Sequence, residues 1–353
     1  MKSDIFEKIT SSENSRPTLI AEMSGNHASS LHHALKFVDS AISEGADIIK
    51  FQVYTPDTIT LKCNQKDFTV SDTSIWKSYK YLYDLYSKAY TPWDWITKLA
   101  KRCDDANQPW FASPFDSTAV EFLESINCPA YKLASPEISD YGLLTDMCKT
   151  GKPIILSIGL TSEIELEEVL TIIKNYQNKF AILKCTSAYP APLDDLNLSM
   201  IPYLAENYGC PIGYSDHSEG EIAALTAVAL GATIIEKHFK LDEDKVSVDS
   251  RFSMQISELS SFKEKLLGVR RTLGEVTFDI PPSARASLSG RRSLYVTHEI
   301  KSGSVFSAEN IRSIRPSFGL EPKFFQKVIG KRAIVDLKPG DRLTPDVIED
   351  FDI

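Results

Sequence analysis

The chain alternates short apolar runs with longer segments in which apolar residues recur every three to four positions. Runs rich in β-branched or aromatic residues predict strands. The periodicity of 32–44, with Ala34 and Phe37 on one face, predicts an amphipathic helix, and the Ala-rich segment 219–230 predicts another. Strand and helix alternate eight times, which predicts an α/β fold, a (β/α)8 TIM barrel. The predicted strands are 18–21, 47–53, 110–112, 130–133, 153–156, 180–183, 212–214 and 233–235.

Two consecutive β/α units in the stretch 211–240 each place a histidine at the carboxyl end of a strand. These are His217 and His238, and each stands beside a carboxylate, Asp216 or Glu236. Catalytic side chains of a parallel barrel gather at this end, and neighbouring strands lie about 4.8 Å apart. We therefore predict that the two imidazoles share one divalent ion. The alternative is that both are ordinary polar residues at strand ends.

Polar residues end most of the other predicted strands in the same phase. Lysine supplies point charge and serine supplies hydrogen bonds, so this convergence predicts a site for a phosphate or carboxylate. Lys50 lies within an apolar run, where the alternative to a catalytic group in the barrel interior is a snorkelling edge residue. The residues in phase are Glu22, Lys50, Ser113, Lys132, Ser135, Ser157, Ser187, Ser215, His217 and His238.

The connection 54–95 is long for a β/α loop and is rich in Tyr and Trp. Long connections in compact domains are usually functional. We expect 77–88 to form a helix that packs outside the barrel, and the remainder of the connection to cover the barrel mouth.

The composition changes after the last predicted helix. Residues 276–290 contain two adjacent prolines and small side chains, and are predicted to link a barrel domain, 1–275, to a second domain, 291–353. In the second domain, KSGSVFSAENI at 301–311 resembles KPGDRLTPDVI at 338–348, which predicts a β-rich fold with two similar halves. A unit of about 65 residues is small for independent folding, so we expect it to dock on a barrel.

The composition of the chain argues against nucleic acid and membranes as binding partners. The 353 residues carry 39 Lys and Arg against 48 Asp and Glu, a formal net charge of −9, without a basic stripe, which argues against nucleic acid. No stretch approaches the length of a membrane span, and the first residues lack the apolar core of a secretion signal. Six cysteines without framework spacing predict reduced thiols in a cytoplasmic protein.

Seven motifs together resemble those of the sialic acid synthase family, and the resemblance extends from Arg16 to the C-terminus. They are AEMSGNH, IKFQVY, SPFD, YKLAS, LKCTSAYP, GYSDHS and IEKHF. The resemblance implies a barrel followed by a small β-clip domain of the SAF, or antifreeze-like, type. It also implies condensation of phosphoenolpyruvate with an N-acetylated sugar in its open aldehyde form. The implied cofactor is a divalent metal, Mn²⁺ in most members, with Mg²⁺ or Co²⁺ as alternatives.

The resemblance also implies roles for individual residues of this chain. Glu22 is the implied general acid/base, and His217 and His238 are the implied metal ligands. Phosphoenolpyruvate is assigned to Lys50, Ser113, Lys132, Ser135, Ser157, Ser187 and Ser215, and the sugar to Gln52, Tyr189, Glu236, Asp249 and Arg315. Arg315 is implied to come from the partner subunit of a domain-swapped homodimer.

Three stretches favour a particular sugar within the family. SGNH at 24–27, the segment 76–95 and DSRFS at 249–253 are most similar to members that use 2,4-diacetamido-2,4,6-trideoxy-L-altrose. Ser187 stands where neuraminate synthases have Asn, which weakens N-acetylneuraminate as the product. Legionaminate is the other alternative within the family.

Two other classes of protein stay open from the residues alone. A Schiff-base aldolase or lyase would use a lysine, and Lys50 or Lys132 could serve. A non-catalytic sugar-binding protein on the same scaffold would be expected to lose Glu22 or a metal histidine, and neither is missing.

Overall fold

The computed structural model describes residues 5–10, 16–243 and 247–352. They form two compact units, Met1–Gly274 and Glu275–Ile353. Each unit has an apolar core of its own. The N-terminal unit contains the parallel sheet, and the C-terminal unit contains an antiparallel pair of strands.

Eight parallel strands close into a barrel, because β8 pairs with β1 as well as with β7. The strands are buried almost throughout, as expected when helices cover the outside and side chains fill the interior. This confirms the predicted (β/α)8 barrel. The strands are β1 Thr18–Glu22, β2 Ile48–Val53, β3 Trp110–Pro114, β4 Tyr131–Leu133, β5 Ile154–Ile158, β6 Phe180–Cys185, β7 Ile212–Asp216 and β8 Ile234–Lys240, and a short β9, Met254–Gln255, pairs with the end of β8.

Amphipathic helices cover the barrel, and their ends follow local capping chemistry. The side chain of Ser30 caps α2, and Ser162 with Glu165 forms a capping box at the start of α8. Among the described residues, no helix has the length and apolar character that spanning a bilayer requires. The helices of this unit are α1 Ile5–Thr10, α2 Leu31–Ser43, α3 Pro56–Ile59, α4 Leu82–Ala89, α5 Trp93–Asp105, α6 Ser117–Ser125, α7 Tyr141–Lys149, α8 Glu163–Asn175, α9 Met200–Tyr208, α10 Ile222–Ala229 and α11 Leu259–Leu273.

Two predicted helices are shorter than expected. The helix expected at 77–88 is α4, which begins only at Leu82, because Val70 N donates to Lys80 O and the preceding residues pair as an isolated bridge. The helix expected at 219–230 is α10, which begins only at Ile222. It cannot begin earlier because Gly220 has a φ of +76°, which is outside the helical region. Both differences come from backbone conformations that apolar periodicity does not report.

The strand register brings polar residues to one level at the carboxyl end of the barrel. Glu22 is paired with Lys50 of β2 and also with His238 of β8. Ser215 of β7 is paired with Glu236 of β8. These side chains therefore stand where the catalytic groups of TIM barrels are found.

The C-terminal unit is built from two similar halves that pair with each other. Ile300 of the first half bridges Leu337 of the second. The two Lys-x-Gly turns have glycines of positive φ, +84° at Gly303 and +96° at Gly340, which explains why both turns need glycine. The regular elements are β10 Ser293–Val296, β11 Ile311–Ile314 and α12 Phe325–Val328, and a 3₁₀ segment, Pro282–Gly290, precedes them.

Candidate active site

A cavity of about 520 Å³ opens at the carboxyl end of the barrel strands. This volume is typical of small-molecule sites. The connection 54–95 forms part of the wall through Ile59, Val70, Trp76 and Tyr86, so part of it does border the barrel mouth. The predicted site residues that line the cavity are Lys50, Gln52, Ser113, Lys132, Ser135, Ser157, Tyr189, Ser215, His217, Glu236, His238 and Asp249.

Four buried charged side chains form a network beside the cavity, of which Lys50, Lys132 and Glu236 line it and the fourth, Glu22, lies behind them. Lys50 Nζ lies 2.6 Å from Glu22 Oε2 and 3.3 Å from Glu236 Oε1. Lys132 Nζ lies 3.2 Å from both carboxylate oxygens of Glu236. The two lysines are thus held between two carboxylates, and each charge in the network is paired.

The network and its burial shift the ionisation of all four groups. Burial raises the pKa of Glu22 to about 7, even though Lys50 opposes the shift. Burial alone would also raise the pKa of Glu236, but Lys132 and Lys50 outweigh it and hold that pKa at about 2. Burial lowers the pKa of Lys132, whereas for Lys50 the two carboxylates overcome burial and raise it. Glu22 is therefore the carboxyl group suited to exchange a proton near neutral pH.

Serine hydroxyls surround the lysines. Ser113 accepts a hydrogen bond from Lys50 Nζ at 3.3 Å, and Ser215 donates one to Glu236 at 3.2 Å. Within the described residues, Ser157 Oγ is buried without a hydrogen-bond partner. A buried hydroxyl in that state suits a group that binds a ligand.

Gly159, just after β5, lets three polar side chains come together. A Cβ built at this position would lie 2.6 Å from Cys185 Sγ, 2.8 Å from Ser187 Oγ and 3.0 Å from Ser135 Oγ. The backbone N–H of Gly159 donates to Ser135 Oγ at 3.0 Å. Ser187 is thereby placed beside the cavity, although it does not line it directly.

His217 and His238 face each other across the cavity, with ring centroids 5.4 Å apart. Burial lowers the pKa of His217 to about 4 and that of His238 well below its usual value, so both rings are neutral near pH 7. Neutral imidazoles are metal ligands, and the spacing suits two rings that bind one ion with N–metal bonds of about 2.1 Å. Asp216, which the sequence places beside His217, pairs instead with Lys237 at 2.6 Å.

Three further observations bear on metal binding by this pair. The Nδ1 of His217 lies 3.0 Å from the backbone oxygen of Thr186, which orients the ring and leaves its other nitrogen for a ligand. In the part of the chain that the structure describes, the buried Nδ1 of His238 has no hydrogen-bond partner. Over the same residues, no group of three or more His, Cys, Asp or Glu side chains could hold a metal. The two imidazoles could together supply two ligands to a divalent ion.

An aromatic wall, defined as Trp76, Tyr189 and Phe252, stands over the histidines. The Tyr189 and His217 ring centroids are 4.5 Å apart, and those of Phe252 and His238 are 5.0 Å apart. Trp76 contacts Tyr189 at 5.6 Å between centroids. This end of the cavity is therefore apolar on one side, and Asp249 provides a carboxyl group beside it.

Sequence reasoning did not assign a role to Glu137, which lines the cavity two residues after Ser135. Burial raises the pKa of Glu137 to about 7, and its Oε2 is buried without a partner among the described residues. The available signal was its position, since Ser135 and Glu137 both follow the fourth strand.

Arg315 belongs to the C-terminal unit and follows directly after β11. Its side chain is exposed. The contact implied between Arg315 and the sugar of a partner subunit therefore stays a prediction.

The fold and the cavity define a TIM-barrel protein with a buried cationic pair, a histidine pair and a small β-rich C-terminal unit. The chain belongs to the NeuB family, whose profile matches residues 37–277. The SAF domain profile matches residues 291–349, which lie within the C-terminal unit.

Several proteins with assigned functions are similar to this chain over most of its length. The chain is 42% identical over 326 residues to a pseudaminic acid synthase of Campylobacter jejuni, covering 92% of this chain and 94% of the relative. It is 38% identical over 338 residues to a pseudaminic acid synthase of Helicobacter pylori, covering 94% and 98%. A solved N-acetylneuraminic acid synthetase of Leptospira borgpetersenii, in complex with citrate, is 32% identical with a TM-score of 0.67, covering 78% of this chain and 91% of that one.

Proposed function

We propose that this protein is a pseudaminic acid synthase, a transferase that forms a carbon–carbon bond. It condenses phosphoenolpyruvate with 2,4-diacetamido-2,4,6-trideoxy-L-altrose and water, and the products are the nonulosonic acid and phosphate. The observation that carries the proposal is the meeting of Lys50 and Lys132 with His217 and His238 in one cavity. The choice of sugar is supported by the 42% identity to the Campylobacter jejuni synthase.

Phosphoenolpyruvate binds at the lysine end of the cavity. Lys50 and Lys132 attract its anionic groups, and the hydroxyls of Ser113, Ser135, Ser157, Ser187 and Ser215 donate hydrogen bonds to its oxygens. In the structure both lysines are paired with Glu236. Ligand oxygens compete for the same ammonium groups, and the carboxylate of Glu236 then becomes available to a sugar hydroxyl.

The sugar binds at the aromatic end of the cavity. Gln52, Tyr189, Glu236 and Asp249 provide its polar contacts. Trp76 and Phe252 form an apolar surface suited to the C6 methyl group. His217 and His238 would hold a divalent metal, Mn²⁺ by preference, which would supply Lewis-acid chemistry to the aldehyde.

The residues around the two substrates support a defined order of bond changes. C3 of phosphoenolpyruvate forms a bond to the aldehyde carbon of the sugar, and cationic character develops at C2. Glu22 accepts a proton from the water that adds at C2, for which a pKa of about 7 is well placed. The aldehyde oxygen, which becomes an alkoxide when the carbon–carbon bond forms, takes up this proton and becomes a hydroxyl group. The C2–O bond to phosphate then breaks, the hydroxyl that water left at C2 gives its proton to the leaving phosphate, and a keto group remains at C2.

The proposal also includes an oligomeric state and a cellular location. The first is a domain-swapped homodimer in which Arg315 reaches the partner's sugar site, since Arg carries a permanent charge and several donors in a rigid fork. The second is a cytoplasmic location, supported by six cysteines that are all present as free thiols.

One assay tests the function directly. Phosphate release from phosphoenolpyruvate is measured against a panel that contains 2,4-diacetamido-2,4,6-trideoxy-L-altrose, its legionaminate counterpart and N-acetylmannosamine. We expect the first sugar to give the highest kcat/KM. Borohydride with pyruvate provides the control for a Schiff-base lyase, because a synthase is not trapped by reduction. Covalent trapping on Lys50 or Lys132 would reject the synthase mechanism.

A further inference from the structure

The side chains of the SGNH motif at 24–27 have no role in the mechanism above, although Ser24 lines the cavity and its backbone N–H donates to Glu22 Oε1 at 2.7 Å. The residues of the motif contact three segments of the cavity wall. The motif follows β1, and Ser24, Asn26 and His27 are all buried. The segments it contacts are the loop around Asp249, the end of β8 with the residue after Phe252, and the C-terminal end of α4.

Ser24 and the next residue fix the carboxyl group of Asp249. Ser24 Oγ donates to Asp249 Oδ2 at 2.6 Å, and the backbone N–H of Gly25 donates to the same oxygen at 3.1 Å. Because both bonds go to Oδ2, the carboxyl group is oriented through one oxygen. The other oxygen is the one left for a ligand in the cavity, which Asp249 lines.

Asn26 and His27 hold the neighbouring segments of the wall. Asn26 Nδ2 donates to the backbone oxygen of Phe239 and to Ser253 Oγ, both at 2.8 Å. His27 Nδ1 accepts from the N–H of Ser29 at 3.1 Å, so Nε2 carries the proton and donates to Ala89 O at 3.0 Å. These bonds tie the β1 loop to the segment that bears Phe252 and to the last residue of α4.

Two of the three segments, the loop around Asp249 and the C-terminal end of α4, come close together at Gly25. A Cβ built there would lie 3.3 Å from Asp249 Oδ2, 3.3 Å from Val248 Cβ and 3.5 Å from Ala89 Cα. The first two distances are shorter than ordinary contacts, so any side chain at position 25 displaces the wall. Val248, Asp249 and Ala89 all line the cavity.

We propose that the 24–27 loop is a positioning element that sets the shape of the sugar end of the cavity, with Ser24 acting through Asp249. This rests on the proposed function, because it concerns the sugar of that reaction. The lysines of the other end belong to β2 and β4, and the loop reaches them only through the backbone N–H of Ser24, which donates to Glu22, the partner of Lys50. A change of the Ser24 side chain keeps this backbone bond, so we expect phosphoenolpyruvate binding to be unchanged.

The experiment measures phosphate release as a function of each substrate in the wild type, Ser24→Ala and Gly25→Ala. Ser24→Ala raises the KM for the diacetamido sugar about tenfold, as expected for the loss of an oriented bond to a charged group. Gly25→Ala raises the same KM because its Cβ displaces the wall. Both variants leave the KM for phosphoenolpyruvate unchanged. Gly25→Ala keeps every hydrogen-bonding group, so it decides the question if Ser24→Ala does not fold in a thermal unfolding check. Ser30→Ala is the control, since it removes the cap of α2 from the same loop without touching the wall.

A double-mutant cycle separates positioning from direct contact with the sugar. If Ser24 acts through Asp249, Ser24→Ala has little further effect on kcat/KM for the sugar in an Asp249→Ala background. Full additivity, or an equal rise in the KM for phosphoenolpyruvate, overturns the positioning role. Normal wild-type turnover with an unchanged sugar KM in both single variants overturns it as well. A wild type that releases no phosphate with any sugar of the panel rejects the proposed function itself.

Discussion

At the scale of single residues, burial decides what Glu22 can do. Its pKa of about 7 makes it a base that is active only when deprotonated, so kcat should fall as the pH drops below 7. Glu22→Gln should lower kcat by about 10²–10⁴-fold and remove this acid limb from the residual rate. The measurement is a pH profile of phosphate release for both proteins. A variant that retains the wild-type rate would show that Glu22 only anchors Lys50.

The two histidines belong to the same scale, and they should behave alike. EDTA should abolish turnover and Mn²⁺ should restore it, because two protein ligands hold an ion weakly. His217→Ala and His238→Ala should each cause a similar loss, since each removes one ligand of the same ion. Mn²⁺ binding by calorimetry gives a second readout that does not depend on activity. Full activity in chelator after extensive dialysis would contradict the metal site.

At the scale of elements, the connection 54–95 should determine sugar preference through Trp76. Its indole N–H donates to Val248 O at 2.7 Å, which fixes the ring against the loop that carries Asp249. Trp76→Ala should reduce the preference for the 6-deoxy diacetamido sugar over N-acetylmannosamine, since a methyl contact contributes about 1–3 kcal/mol. The ratio of the two kcat/KM values measures this.

Trp93 provides the matched control for that prediction. It belongs to the same connection but stacks on Phe122, with centroids 4.8 Å apart, and lies outside the cavity lining. Trp93→Ala should leave the ratio unchanged. If N-acetylmannosamine is the better substrate of the wild type, the assignment of the sugar is wrong.

The existence of each barrel strand could be predicted from the sequence, whereas the ends of two helices and the carboxyl end of β8, predicted at 235 and observed at Lys240, could not. A parallel strand buried on both faces needs an apolar run, which is visible in the sequence. The start of α10 depends instead on the left-handed conformation of Gly220, and the start of α4 on the pairing of Val70 with Lys80. Neither leaves a periodic signal.

At the scale of the whole molecule, the prediction concerns a shared active site. Arg315→Ala and His238→Ala homodimers should each be nearly inactive. After subunit exchange, a heterodimer contains one site with both lesions and one with neither, so its activity should return toward half that of the wild type. Exchange is verified by native mass. If it occurs and activity stays absent, Arg315 acts within its own subunit or has no role.

The composition of the cavity could be predicted because barrel strands are parallel and in register. Polar residues in the same phase, such as Lys50, Lys132 and His238, had to meet at one end. The pairing of both lysines with Glu236 could not be predicted, because it depends on side-chain conformations that spacing does not report. Glu137 was missed for a related reason, since only burial gives its carboxyl group an unusual pKa.

Gly159 has no side chain, yet the space around it tolerates fewer substitutions than the space around residues that carry functional groups. Every substitution there adds at least one carbon atom where three polar side chains already converge. Gly159→Ala should therefore weaken phosphoenolpyruvate binding strongly while the variant still folds and binds Mn²⁺, and calorimetry with each ligand would check this. Proteins that keep the activity should then nearly always have glycine at position 159. Replacement of this glycine should mark descendants of this barrel that have acquired a different substrate.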